Sequence, residues 1–321
     1  METEIKDAKN ADSKMPQEDI AELLKQKRGG FVIRSFNWWG PLQLRAWALV
    51  AMLKGYFSFS EFCQLSLPSF FSDKSKLMDR FGAFFYEELK KEYPAHANCL
   101  NLFGHAFEGN NSYEVILLIN EIIILDQYHA EQFFKKDFIV IDAGANSGVF
   151  SVFAAHLAPQ GRIYSFEPVA NTFENLKKNT RDYPGITCIN SGLGDEISQK
   201  NIFVNSRSTL GSVFEDSPFY RTRSDWKEHE SASIMTIDAF VAENNIPRID
   251  FIKIDTEGYE AKILNGAKES IRKWKPVIAM SAYHNPNDKE DLPRIVKKIY
   301  PHYICELHRE HEEDFICYVK K

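Results

Sequence analysis

Asp142, Gly144, Asn146 and Gly148 occupy alternate positions of a turn that follows the apolar run Ile139-Val140-Ile141. Glycines in such a turn let the backbone approach a ligand and leave helix N–H groups pointing at it. The spacing is not the Gly-x-Gly-x-x-Gly of a dinucleotide site, because Asn146 takes the second glycine's place, and this counts against a nicotinamide oxidoreductase. Asp142 opens the turn with a negative charge, which repels a pyrophosphate and favours a cationic or zwitterionic ligand. Its plainer reading is a helix N-cap. Glu167 comes about nineteen residues after Gly148, where an acidic residue accepts the two hydroxyls of a ribose. A cation-seeking turn and a ribose acid together predict a nucleoside with an amino-acid or sulfonium tail, and S-adenosylmethionine fits that description.

Asp255, Glu257 and His284 follow two later apolar runs and are the candidates for chemistry on an acceptor. An in-line displacement at a sulfonium asks the protein mainly to align the acceptor and withdraw its proton. His284 has a side chain that titrates near neutral pH and is therefore the expected base. Asp255 is expected to face the cofactor methyl or the acceptor, with Glu257 two residues further along the turn. The same three residues suit a divalent metal that lowers the acceptor's pKa, a reading ranked below metal-free catalysis. Asp195 is expected to meet an adenine amino group, and Tyr128 and Asn111 to cover the pocket.

These residues need a scaffold that sets them at neighbouring strand ends. From residue 137 onward, short β-branched runs alternate with amphipathic stretches, which predicts βαβ units and a parallel sheet. Strands are expected over Phe138–Asp142, Arg162–Phe166, Ile186–Asn190, Phe251–Ile254 and Pro276–Met280, with helices over Val149–Leu157, Asn171–Thr180 and Tyr259–Arg272. Tyr303–Leu307 and Asp314–Val319 read as two closing strands around an acidic hairpin. In such doubly wound sheets ligands lie beyond the carboxyl ends of the strands.

Upstream, residues 1–28 read as a mobile polar tail and 29–110 as a helical accessory region, leaving 111–321 for the α/β domain. The chain has 321 residues and a formal net charge of −6, so a nucleic-acid partner would need a basic patch working against the overall field, and none is expected. The run around Trp38–Phe62 is cut by Gly40, Pro41, Arg45 and Lys54, short of the roughly 20 apolar residues of a membrane span. Its aromatic residues leave peripheral membrane contact open. The five cysteines are scattered without a Cys-x-x-Cys pair; neither a disulfide framework nor a zinc site is expected, and a cytosolic setting fits. Oligomeric state cannot be read from these residues.

The motifs, taken in order, resemble the FkbM-type methyltransferases. Val140-Ile141-Asp142-Ala143-Gly144-Ala145-Asn146-Ser147-Gly148 is similar to the family's first motif, and Phe166-Glu167-Pro168 with Phe173, Leu176 and Asn179 to its second. Asp250 to Glu260, with Leu264, Gly266 and Ala267, is similar to its fourth-strand signature. The resemblance implies a doubly wound, seven-stranded, mostly parallel α/β sheet of the class I methyltransferase (Rossmann-like) type. It also implies S-adenosylmethionine as cofactor and O-methylation of a small molecule or glycan. Many relatives end the fifth strand with a glutamate where this chain has Ser281-Ala282-Tyr283-His284, which leaves the identity of the base open. A reading from another class is a catalytically silent binding module that acts through protein contacts of its helical region.

Overall fold

The computed structural model describes residues 118–124, 126–204, 212–217, 228–309 and 312–320. The polar tail, the helical region and Asn111 lie outside the described residues. The strands are β1 (Ile139–Ala143), β2 (Arg162–Phe166), β3 (Ile186–Ile189), β4 (Gly192–Leu193), β5 (Ser198–Val204), β6 (Val213–Phe214), β7 (Glu228–Met235), β8 (Phe251–Ile254), β9 (Val277–Ser281), β10 (Ile304–His308) and β11 (Asp314–Tyr318). The helices are α1 (Ala130–Phe133), α2 (Val149–Leu157), α3 (Ala170–Thr180), α4 (Ile237–Glu243), α5 (Glu260–Asn265), α6 (Lys268–Trp274) and α7 (Asp288–Ile299), preceded by a π-helical turn at Asn120–Ile124.

Seven strands form one sheet in the order β10-β11-β9-β8-β1-β2-β3. Pairs among β3, β2, β1, β8 and β9 are parallel, and β11 runs antiparallel to both its neighbours. The seven-stranded, mostly parallel sheet expected from the sequence is therefore present. β1 is buried at all five positions, as a central strand covered on both faces must be. Its side chains alternate between the faces: Ile139, Ile141 and Ala143 join one core, and Val140 joins the other with Phe150 and Phe153 of α2. Strand order reverses between β1 and β8, where a doubly wound sheet opens its crevice.

Helices α1, α4 and α7 were not expected, and three further features depart from the expected elements. The irregular stretch after β3 folds into a second sheet of order β4-β7-β5-β6, whose Leu193, Ile202 and Phe214 are buried. The single helix expected over Tyr259–Arg272 is instead α5 and α6, broken at Gly266. A Cβ on Gly266 would lie 1.9 Å from the Gly194 carbonyl oxygen, so the break is where the chain passes the second sheet's backbone. The expectation of no disulfide is also corrected. Cys305 and Cys317 face each other across the β10/β11 pair and are joined, a register that spacing alone does not reveal. Among the described residues no helix is long and apolar enough to cross a membrane.

Candidate functional site

The turn after β1 is shaped by three left-handed residues, Gly144 (φ +74°), Asn146 (φ +51°) and Gly148 (φ +94°). Gly144 is required by crowding as well as by φ: a Cβ there would lie 2.0 Å from the Asp255 carbonyl oxygen. Asn146 tolerates this conformation because its Oδ1 accepts the Ser147 N–H at 2.6 Å. The turn forms one side of a cavity of about 480 Å³ at the carboxyl ends of β1, β2, β8 and β9, within the range of small-molecule sites.

Four of the residues singled out for cofactor binding meet in that cavity: Gly144, Asn146, Glu167 and Asp255 all line it. Glu167 ends β2, and its two oxygens accept the N–H groups of Asn146 at 3.0 Å and Val169 at 2.9 Å. Each oxygen keeps a lone pair for a hydroxyl. Burial pushes its pKa up to about 7, against the pull of those backbone donors and of Lys253. Leu193, Ile202 and Phe214 of the second sheet form an apolar wall of the same cavity. An acid with open lone pairs, a tight glycine turn and an apolar wall are the donor set that an adenosyl ligand needs, so the residues present fit it.

Three of the predicted cofactor contacts are placed elsewhere. Asp142 is fully buried beneath the turn, on the face of β1 that also carries Val140. There it accepts the Ser151 hydroxyl at 2.6 Å and pairs with Lys253 Nζ at 3.1 Å. It therefore does not present its charge to a ligand. Its influence passes through Lys253, which donates to the Ala143 and Gly144 carbonyls at 3.2 and 2.6 Å and lines the cavity itself. Gly148 is a packing glycine, since a Cβ would press on Leu176 Cδ1 at 2.8 Å. Asp195 is exposed on the turn after β4 and does not line the cavity.

The three candidates for chemistry do converge. Asp255 follows β8, Glu257 stands on the next turn in a left-handed conformation (φ +53°), and His284 follows β9. His284 Nε2 lies 3.5 Å from Glu257 Oε2 and 3.9 Å from Asp255 Oδ1, and its Nδ1 lies 2.9 Å from Glu260 Oε1. Burial opposes charge on this ring, but Glu260, Glu257 and Asp255 outweigh it and push the pKa up to about 10. The expectation that His284 titrates near neutrality is corrected on that ground: three carboxylates around the imidazole keep its proton on. For Asp255, burial raises the pKa, yet Lys253, His284 and hydrogen bonds from Tyr128 and Ser281 leave it below its ordinary value. The Tyr128 hydroxyl donates to Asp255 Oδ2 at 2.8 Å, so this tyrosine does lie over the pocket.

Several residues of the site were not singled out from sequence. Glu260 is fully buried and gathers the β8–α5 turn around one oxygen, accepting from Thr256 N at 3.0 Å and Gly258 N at 3.3 Å. Glu121 and Glu312 line the cavity beside Tyr283, and burial pushes the Glu121 pKa up to about 8, with Glu312 and Asp255 adding to it. Lys253 carried a readable signal, since a lysine inside Phe251-Ile252-Lys253-Ile254 must find a buried partner. Glu121 and Glu312 carried none, being more than a hundred residues from one another and outside the β8 signature.

Comparison with known proteins shows which family the chain resembles. A "Methyltransferase 1" of Beauveria bassiana is 25% identical over 163 residues, covering 46% of this chain and 66% of that protein. The hexuronic acid methyltransferase AglP of Haloferax volcanii is 27% identical over 188 residues, 57% of this chain and 70% of that protein. The 31-O-demethyl-FK506 methyltransferase FkbM of Streptomyces tacrolimicus is 24% identical over 156 residues, 41% of this chain and 60% of that protein. The family model of the methyltransferase FkbM domain matches residues 142–315, from the buried aspartate of β1 into β11 and over more than half of the chain, and the chain belongs to that family.

Proposed function

We propose that this chain transfers a methyl group from S-adenosylmethionine to a hydroxyl of a small molecule or glycan. The observation that carries the reading is the placement of Glu167 and Asp255 at the ends of β2 and β8, either side of the Gly144 turn and open to one cavity. Glu167 would hold the ribose, the Gly144–Asn146 backbone the amino-acid tail, and Leu193, Ile202 and Phe214 the adenine. When bound, S-adenosylmethionine supplies a methyl whose carbon–sulfur bond breaks as the acceptor oxygen bonds to it, leaving S-adenosylhomocysteine. Asp255, Glu257 and His284 would meet the acceptor hydroxyl. Because both nitrogens of His284 face carboxylates, the hydroxyl proton passes to a carboxylate, Asp255 or Glu257, while the imidazole holds the pair in place. The names of two relatives support the acceptor class, one naming a hexuronic acid and the other 31-O-demethyl-FK506.

Calorimetry with S-adenosylmethionine tests the binding half, and heat in the parent protein that falls at least tenfold in affinity for Glu167→Gln is expected. Absence of heat in the parent overturns the reading. Incubation with isotopically labelled cofactor and a mixture of metabolites and glycans, followed by mass spectrometry, tests the transfer half. Binding without transfer to any acceptor would favour the silent binding module instead. In a responsive assay, His284→Ala is expected to lower kcat by about a hundredfold or more and to leave cofactor affinity close to unchanged, as for a group acting on the acceptor side.

A further inference from the structure

We propose that His284, Asp255 and Glu257 bind one divalent transition-metal cation at the acceptor end of the cavity, with Glu260 orienting the imidazole. The proposal deepens the function proposed above and rests on its placing of the acceptor. A cation with bonds of about 2.1 Å holds neighbouring ligand atoms roughly 3.0–3.5 Å apart. His284 Nε2 is already 3.5 Å from Glu257 Oε2 and 3.9 Å from Asp255 Oδ1, so small inward movements of two side chains that line a cavity complete the set.

The far side of the ring is built as metal-binding histidines require. Nδ1 faces Glu260 Oε1 at 2.9 Å, the carboxylate contact that fixes ring orientation and turns the other nitrogen to the ion, and the ion would displace to solvent the proton that the carboxylates otherwise hold on Nε2. Glu260 is itself fixed by the backbone N–H groups of Thr256 and Gly258. A separate observation concerns the carboxylate behind the ring. Glu260 is wholly buried, and its second oxygen, Oε2, has no hydrogen-bond partner among the described residues. Lys253, the buried amine nearby, is already engaged by Asp142 and by the Ala143 and Gly144 carbonyls. Three carboxylates thus gather on one imidazole in a low-dielectric pocket, and a cation beside Nε2 would offset them. One imidazole with two carboxylates suits Mn²⁺, Fe²⁺ or Zn²⁺ better than Ca²⁺ or Mg²⁺, which favour oxygen ligands. An ion there would stand where the acceptor oxygen must come, with room for that oxygen as a further ligand.

The test titrates Mn²⁺ into the full chain, cleared of metal by a chelator and without cofactor, following heat and the spectrum of free Mn²⁺. One saturable Mn²⁺ per chain, displaced by Zn²⁺, is expected. His284→Ala and Glu257→Gln should each weaken binding at least tenfold, and Glu260→Gln by about ten- to a hundredfold. Circular dichroism checks that each variant folds, and Asp255→Asn replaces any that does not. No saturable binding in the parent, or binding unchanged in His284→Ala, overturns the proposal. The same preparation is titrated with S-adenosylmethionine: cofactor heat without a Mn²⁺ site sinks the metal alone, whereas a Mn²⁺ site without cofactor heat sinks the methyltransferase reading.

Discussion

At the scale of single residues, Glu167 is where charge and ligand binding are most directly linked. Its pKa is pushed up to about 7 by burial, so the folded protein holds this proton more tightly than the unfolded chain does. With the native state binding the extra proton, stability falls as pH rises from about 4.5 to about 7 and levels off above. Cofactor affinity should move the other way, because only the carboxylate accepts two ribose hydroxyls. Calorimetry between pH 6 and pH 8 is expected to show S-adenosylmethionine binding tightening by up to about tenfold as Glu167 ionises, with the trend absent in Glu167→Gln. An equal trend in both proteins would assign the proton to another group. His284 shows the complementary lesson. Its residue type and place after β9 were readable in the sequence, but its charge depends on Glu260, which only the folded turn brings against Nδ1.

At the scale of elements, the central strands are held by more than their hydrogen-bond ladder. Asp142 and Lys253 are register partners on β1 and β8, and their ion pair lies almost wholly out of water. Removing one member of a buried pair strands the other charge, so Asp142→Asn is expected to cost about 3–5 kcal/mol in urea unfolding. A loss below about 1 kcal/mol would show that the pair is not structural. The β10/β11 hairpin is tied by the Cys305–Cys317 disulfide across a separation of 12 residues, and reduction is expected to lower stability by about 2–3 kcal/mol, measured by denaturant titration with and without reductant. The elements themselves were largely legible: β2, β8 and α2 match the expected bounds, because β-branched runs and helical spacing are local signals. The pairing of Asp142 with Lys253 was not. It depends on the register of strands more than a hundred residues apart, and a carboxylate opening a glycine turn looks the same whether it faces a ligand or a buried lysine. The second sheet was hidden because β4 and β6 have two residues each and the longer β5 and β7 open on polar runs, Ser198–Asn201 and Glu228–Ser231, that lack a strand's apolar signal.

At the scale of the whole molecule, the cavity is walled by both sheets: Gly144, Glu167 and Asp255 come from the main sheet's strand ends, and Ile202 and Phe214 from the second. A ligand that touches both should stabilise the fold as a unit, because whatever binds only the native state adds RT ln(1 + [L]/Kd). With S-adenosylmethionine at a hundred times its Kd, the gain is about 2.7 kcal/mol, which for a chain of this size raises Tm by about 4 °C. Phe214 packs on Tyr259 with ring centroids 4.6 Å apart and belongs to the core shared by the two sheets, so Phe214→Leu removes part of the wall proposed to hold adenine without emptying it. If affinity falls tenfold in that variant, the same ligand concentration yields only about 1.4 kcal/mol and roughly half the rise in Tm. Scanning calorimetry of both proteins, with and without ligand, measures the difference. Equal rises would mean that the second sheet closes the cavity without touching its occupant, and the adenine would then belong against another wall.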